Sequence, residues 1–103
     1  MRIIFHKDAE DYLSELVDVL YEKEYFGFEE SAVSYVDDLI DDIVNNLHRK
    51  LKKKSPGQFL KYGDRYATYR RNNKTSWYVF FEVENDTYYV NYIANNHMVA
   101  QLL

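Results

Sequence analysis

From Asp8 onward the apolar residues of this chain recur three and four positions apart, as Ala9, Tyr12, Leu13, Leu16, Val17 and Leu20. That spacing draws one apolar helical stripe, with Asp11, Glu15, Asp18 and Glu22 on other faces. Gly27 supplies a stop signal. A second stripe of Ala32, Val33, Val36, Leu39, Ile40, Ile43, Val44 and Leu47 predicts a helix beginning near Glu29. Glu29 and Glu30 open that helix and His48, Arg49 and Lys50 close it, the signs its dipole favours. Two helices joined by so few residues form an antiparallel hairpin.

Elsewhere the period is that of strands. "RIIFH" (2–6) is a short β-prone run, and Pro56-Gly57 marks the turn that ends the helical half. Beyond it lie "YATYRR" (66–71), "SWYVFFEV" (76–83) and "YYVNYIAN" (88–95), rich in aromatic and β-branched residues. "NNKT" and "END" separate them, and Asn and Asp tolerate left-handed turn geometry, so the links predict antiparallel hairpins. The expected fold class is α+β in the order β-α-α-β-β-β. A short N-terminal strand precedes a helical hairpin packed on one face of a three- to four-stranded antiparallel sheet. Alternation sends Trp77, Val79, Phe81 and Val83 toward the helices, and Tyr78 and Phe80 away from them. It also sets Ala67, Tyr69 and Arg71 on one face and Tyr66, Thr68 and Arg70 on the other.

Composition narrows this to a single packed domain over residues 1–103, since 47% of residues are hydrophobic and there is only one Pro. The absence of cysteine excludes disulfides and thiolate metal sites. The N-terminal apolar run is too short for a signal peptide and no segment is long enough to span a bilayer, so a soluble cytoplasmic protein with no membrane partner is expected. The net charge of −4 conceals a division. Residues 1–47 carry three Lys/Arg against thirteen Asp/Glu, whereas residues 48–81 carry ten against one. The basic middle is where an anionic partner is expected to dock.

The order of elements and the run "YGDRYATYRRNNKTSWYVFFEVENDTYYVNYIANNHM" (62–98) resemble the RelE/ParE toxin superfamily of bacterial toxin–antitoxin systems. An extended basic strand, an aromatic-plus-aliphatic strand and a strand ending in a polar motif follow one another there, and the likeness covers nearly the whole chain. It implies a small toxin neutralised by a cognate antitoxin protein. In the RelE-like branch the toxin cuts mRNA on the ribosome; in the ParE-like branch it inhibits DNA gyrase. The leading expectation is an mRNA endoribonuclease or translation inhibitor. The alternatives are a gyrase inhibitor that binds without catalysis, or a catalytically silent antitoxin-binding member. Cleaving members carry lysines on the first strand and arginines around the next two. This chain has Ala67, Tyr69 and Arg71 on one side of that strand and Tyr78 early in the next.

Attack of a ribose 2′-hydroxyl needs a base, an acid and cations to hold the developing phosphate charge. His97 is the candidate base or acid because its ordinary pKa lies near neutrality. Tyr78 and Tyr69 are candidate proton donors or stacking rings, and Arg71 or Arg70 a phosphate ligand with Lys74 in support. Asn95 and Asn96 are placed to orient the histidine or bind ribose, and Lys61 and Arg65 extend the basic surface. No cofactor or metal is expected, since His6 and His48 lack ligand spacing and no Gly-rich phosphate loop is present. Two charge runs keep plain readings beside these. "HRKLKKK" (48–54) is either a phosphate patch or a helix end satisfying its own carbonyls. "DDLIDD" (37–42) is a solvated acidic face, with cation chelation the rarer alternative.

Overall fold

The computed structural model describes residues 1–22 and 28–96. Strand β1 (Arg2–Phe5) leads into helix α1 (Lys7–Glu22), and helix α2 (Glu29–Asn46) follows. The rest of the chain supplies β2 (Lys53–Lys54), β3 (Arg65–Arg70), β4 (Ser76–Glu84) and β5 (Thr87–Asn95). The strands form one five-stranded sheet in the order β1-β5-β4-β3-β2. The expected helical hairpin and antiparallel β3-β4-β5 run are both there. The sheet is wider than the three or four strands expected, and it is mixed, because β1 lies parallel to β5. Gly27, read as a helix stop, lies outside the described residues.

Each helix buries the stripe its spacing predicted: Ala9, Leu13 and Leu16 on α1, and Ala32, Val36, Leu39 and Ile43 on α2. They pack on Ala67, Tyr69, Trp77, Val79, Phe81, Val90 and Ile93, one continuous core. Val83 has the same parity but lies past the cover of the helices and is 46% exposed. The α2 helix tightens into a 3-10 turn at Leu47–Arg49. There Lys52 Nζ donates to the carbonyls of His48 (2.9 Å) and Lys50 (3.3 Å), so part of the basic run closes a helix end.

The opposite face is not bare. Residues Gly57–Tyr62 form a 3-10 segment that lays Phe59 and Tyr62 across it. Phe59 stacks on Phe80 at 4.8 Å and Tyr62 on Tyr92 at 4.0 Å, making a second small core with Tyr66 and Ala94. Gly63 lets the chain leave this segment hard against β4. Its φ is +144°, and a Cβ there would lie 2.5 Å from the Phe81 carbonyl oxygen. The β4–β5 loop has Asn85 and Asp86 at φ 52° and 63°, the two left-handed residues of a tight hairpin. Among the described residues no helix is long and apolar enough to cross a membrane.

Candidate functional site

The sheet sorts the sequence-predicted site residues onto two sides. Tyr69 and Arg71 fall on the helix side. Tyr69 is fully buried in the main core, with the Lys50 ammonium 4.4 Å above its ring. Burial pushes its phenol well above the ordinary tyrosine range; Asp42 adds to this and Arg71 opposes it. Its hydroxyl has no hydrogen-bond partner among the described residues. A hydroxyl sealed there reaches no outside ligand, so Tyr69 is corrected from candidate proton donor to core residue.

Arg71 is corrected as well. Its guanidinium forms an ion pair with Asp42 of α2, and the two side chains are only 18% and 24% exposed. Burial raises the Asp42 carboxyl, but hydrogen bonds from Asn46 and Arg71 and the charges of Arg71 and Lys50 outweigh it. The carboxyl is held below its ordinary value. Asp37, Asp38 and Asp41 are exposed, as expected for a solvated face, while Asp42 faces inward.

Arg70, Tyr78 and Lys61 belong to the helix-free side. Tyr78 is half-buried and meets the edge of Tyr66 at 6.1 Å. Arg70 is exposed and donates to the Asn72 carbonyl (3.1 Å) and Asn73 Oδ1 (2.9 Å) of the β3–β4 loop. Lys74 sits on the same loop, its backbone N–H bonded to Asn72 Oδ1 at 2.8 Å. Lys61 Nζ lies 5.0 Å from the Tyr62 ring, and Lys53 Nζ lies 6.0 Å from the Tyr66 ring. Burial, with Tyr62 alongside, raises the Tyr92 phenol against the opposing pull of Lys61. The result is a half-buried tyrosine shelf in which Tyr62 lies over Tyr92 and Tyr78 meets Tyr66. Lys61 stands beside Tyr62, Lys53 beside Tyr66, and Arg70 is exposed on the same face.

The remaining candidates do not join it. Arg65 pairs with Phe81, while Arg70 pairs with Ser76 at the other end of β3, about 17 Å away at the usual rise per residue. Asn95 pairs with Trp77 and so shares the helix-side parity. Asn96 Oδ1 accepts from the Ser76 N–H (3.1 Å) and its Nδ2 donates to the Lys74 carbonyl (3.0 Å). These bonds extend the sheet and brace the β3–β4 loop, which gives Asn96 a structural job. His97 lies outside the described residues.

Sequence reading missed the contribution of residues 57–62 and of Asn91. Phe59 and Tyr62 stand three apart between two glycines, a spacing that turns both rings the same way on a 3-10 turn. Asn91 occupies an irregularity where the β4–β5 register shifts, and its Nδ2 donates to the Tyr62 carbonyl at 2.8 Å. That bond pins the segment to the sheet. Beside it opens a groove bounded by α1, Tyr62 and the outer edge of β5. Among the described residues no three His, Asp or Glu side chains converge closely enough to hold a metal ion.

Comparison with protein-family models, curated proteins and solved structures finds no match. The class that geometry defines is therefore an α+β domain with one face of its sheet sealed by helices and the other a half-buried aromatic shelf with cations beside it.

Proposed function

We propose that the chain is a toxin of a type II toxin–antitoxin system, of the RelE/ParE kind, that blocks translation by gripping single-stranded RNA on the helix-free face. The supporting observation is the half-buried group of Tyr62, Tyr92 and Tyr78, with Lys61 beside Tyr62, Lys53 beside Tyr66 and Arg70 exposed on the same face. Bases stack on exposed aromatic planes at ~1–3 kcal/mol each, and neighbouring cations follow the phosphates. The toxin acts in the cytoplasm, on mRNA at the ribosome, and its partner is a cognate antitoxin. On that face Arg70 is the phosphate ligand and Tyr78 a stacking ring or hydrogen-bond donor to the bound RNA.

A second reading, a ParE-like toxin that binds DNA gyrase without chemistry, is favoured by one observation. Tyr69 and Arg71, two of the four candidate catalytic side chains, are engaged inside the protein. Induced expression in a bacterium separates the two, with wild type run beside a Tyr78→Phe/Arg70→Ala double variant. Growth arrest with cleaved or stalled transcripts, lost in the double variant, is the expected result. DNA-damage signalling with intact transcripts is the gyrase outcome, and growth without arrest removes the toxin reading altogether.

A further inference from the structure

β1 follows β5 only as far as Val90, because the chain leaves the sheet at His6 and enters α1 at Lys7. The His6 N–H closes that end with a 2.8 Å bond to the Val90 carbonyl. Residues 92–94 pair with β4 alone, Asn91 being the unpaired residue at the register shift, and their other edge carries no strand among the described residues. Next to this edge lies a cavity of about 650 Å³, lined by Asn91, Tyr92 and Ile93 from β5 and by Tyr12 from α1.

The charge of the cavity is one-sided. Asp8, Asp11 and Glu15 line it from α1, and their spacing of three and four turns all of them to one wall. Glu82 of β4 adds a fourth carboxylate. Lys7 pairs with Asp11 at 2.8 Å, and His6 Nδ1 lies 3.8 Å from the Asp8 carboxylate. Glu15 and Glu82 have no ion-pair partner among the described residues. Among the described residues Lys61 is the one lysine or arginine in the lining.

We infer that this slot docks an extended basic peptide, a Lys/Arg-bearing segment of a partner protein. It continues the line of β1 and adds as a strand along residues 92–94, beyond the irregularity at Asn91. An unpaired strand edge is a template for strand addition, and three residues offer about 10 Å of it. Charge complementarity sets the side chains, since Glu15 and Glu82 attract cations and repel phosphates. Tyr12 gives the aliphatic stem of a lysine or arginine a ring to lie on. Tyr62, Tyr92 and Lys61 belong to both the slot and the tyrosine shelf, so a peptide in the slot would overlap the shelf. The carboxylates disfavour nucleic acid in the slot itself, and the inference does not depend on the toxin reading.

The test is fluorescence anisotropy on the full chain with a fluorescein-labelled hexapeptide of alternating Lys and Val. Its controls are a Glu–Val hexapeptide and a Lys–Val hexapeptide with proline at its centre. Saturable binding of the Lys–Val peptide is expected, weakened about tenfold or more by Glu15→Lys/Glu82→Lys and by the central proline, which removes a backbone donor. Glu–Val is expected not to bind, and amide NMR shifts are expected at residues 92–94. Both glutamates are exposed, so unchanged thermal unfolding checks that the double variant keeps its fold. No binding, equal binding of the proline peptide, or shifts confined to Arg70 and Tyr78, which lie outside the slot, each overturn the proposal.

Discussion

Replacing Tyr69 by phenylalanine separates a core role from a catalytic one. The substitution deletes a single oxygen and leaves the ring, its packing and the ammonium of Lys50 at 4.4 Å in place. The deleted hydroxyl is buried and has no hydrogen-bond partner among the described residues. Burying such a group unpaired costs ~1–3 kcal/mol. Against that stands a small loss of ring polarisation under Lys50, worth a few tenths of a kcal/mol. The net expectation is a gain of about 1 kcal/mol, or roughly 4–8 °C in Tm for a domain of this size. Thermal and urea unfolding followed by far-UV circular dichroism read the change, and induced expression reads growth arrest in parallel. A loss of 1 kcal/mol or more would show that the hydroxyl has a partner. On the toxin reading, loss of growth arrest in a variant that is still folded would return Tyr69 to the candidate catalytic groups.

Three further outcomes are expected. Gly63→Ala places a Cβ against the Phe81 backbone at a φ of +144°, so it should destabilise by more than ~2 kcal/mol in urea titration. Asp42→Asn leaves Arg71 largely buried and unpaired, at a cost of about 1–2 kcal/mol after allowing for partial solvation. Because the folded Asp42 carboxyl lies below its ordinary value, its contribution is present above the unfolded value of ~3.9 and fades as pH falls through the folded one. The gap between wild type and variant should therefore narrow on acidification; a constant gap refutes the pairing. At the alkaline end burial, aided by Tyr92, pushes Tyr12 up to about 12. Its contribution is full below pH ~10 and lost between there and 12, so absorbance titration should show a late tyrosine phase coincident with unfolding.

Local pattern carried most of the fold. The helical stripes, the alternation of Trp77, Val79 and Phe81, and the Asn85-Asp86 turn depend on neighbours a few residues away, and each reads directly from the chain. The parallel pairing of Ile3 with Tyr88 joins segments more than eighty residues apart, and nothing in "RIIF" names its partner. The two-residue strand β2 is too short to show a period. The candidate site was less legible, because parity says which residues share a face and not what covers it. Arg71 and Tyr69 were correctly set opposite Arg70, yet only the position of α2 makes theirs the sealed side. Likewise Phe59 and Tyr62 fill part of the face left open by the helices, and Asn96 spends its amide on the β3–β4 loop.

The same β1–β5 pairing has a consequence during synthesis. Arg2–Phe5 leaves the ribosome before its strand partner Thr87–Val90, which comes more than eighty residues later. At ~5–20 residues per second, that leaves the first strand waiting several seconds at least. Until β3 and β4 emerge, the apolar stripes of both helices have no sheet to rest on, and the dense acidic charge of residues 1–47 is what opposes association of the nascent chain.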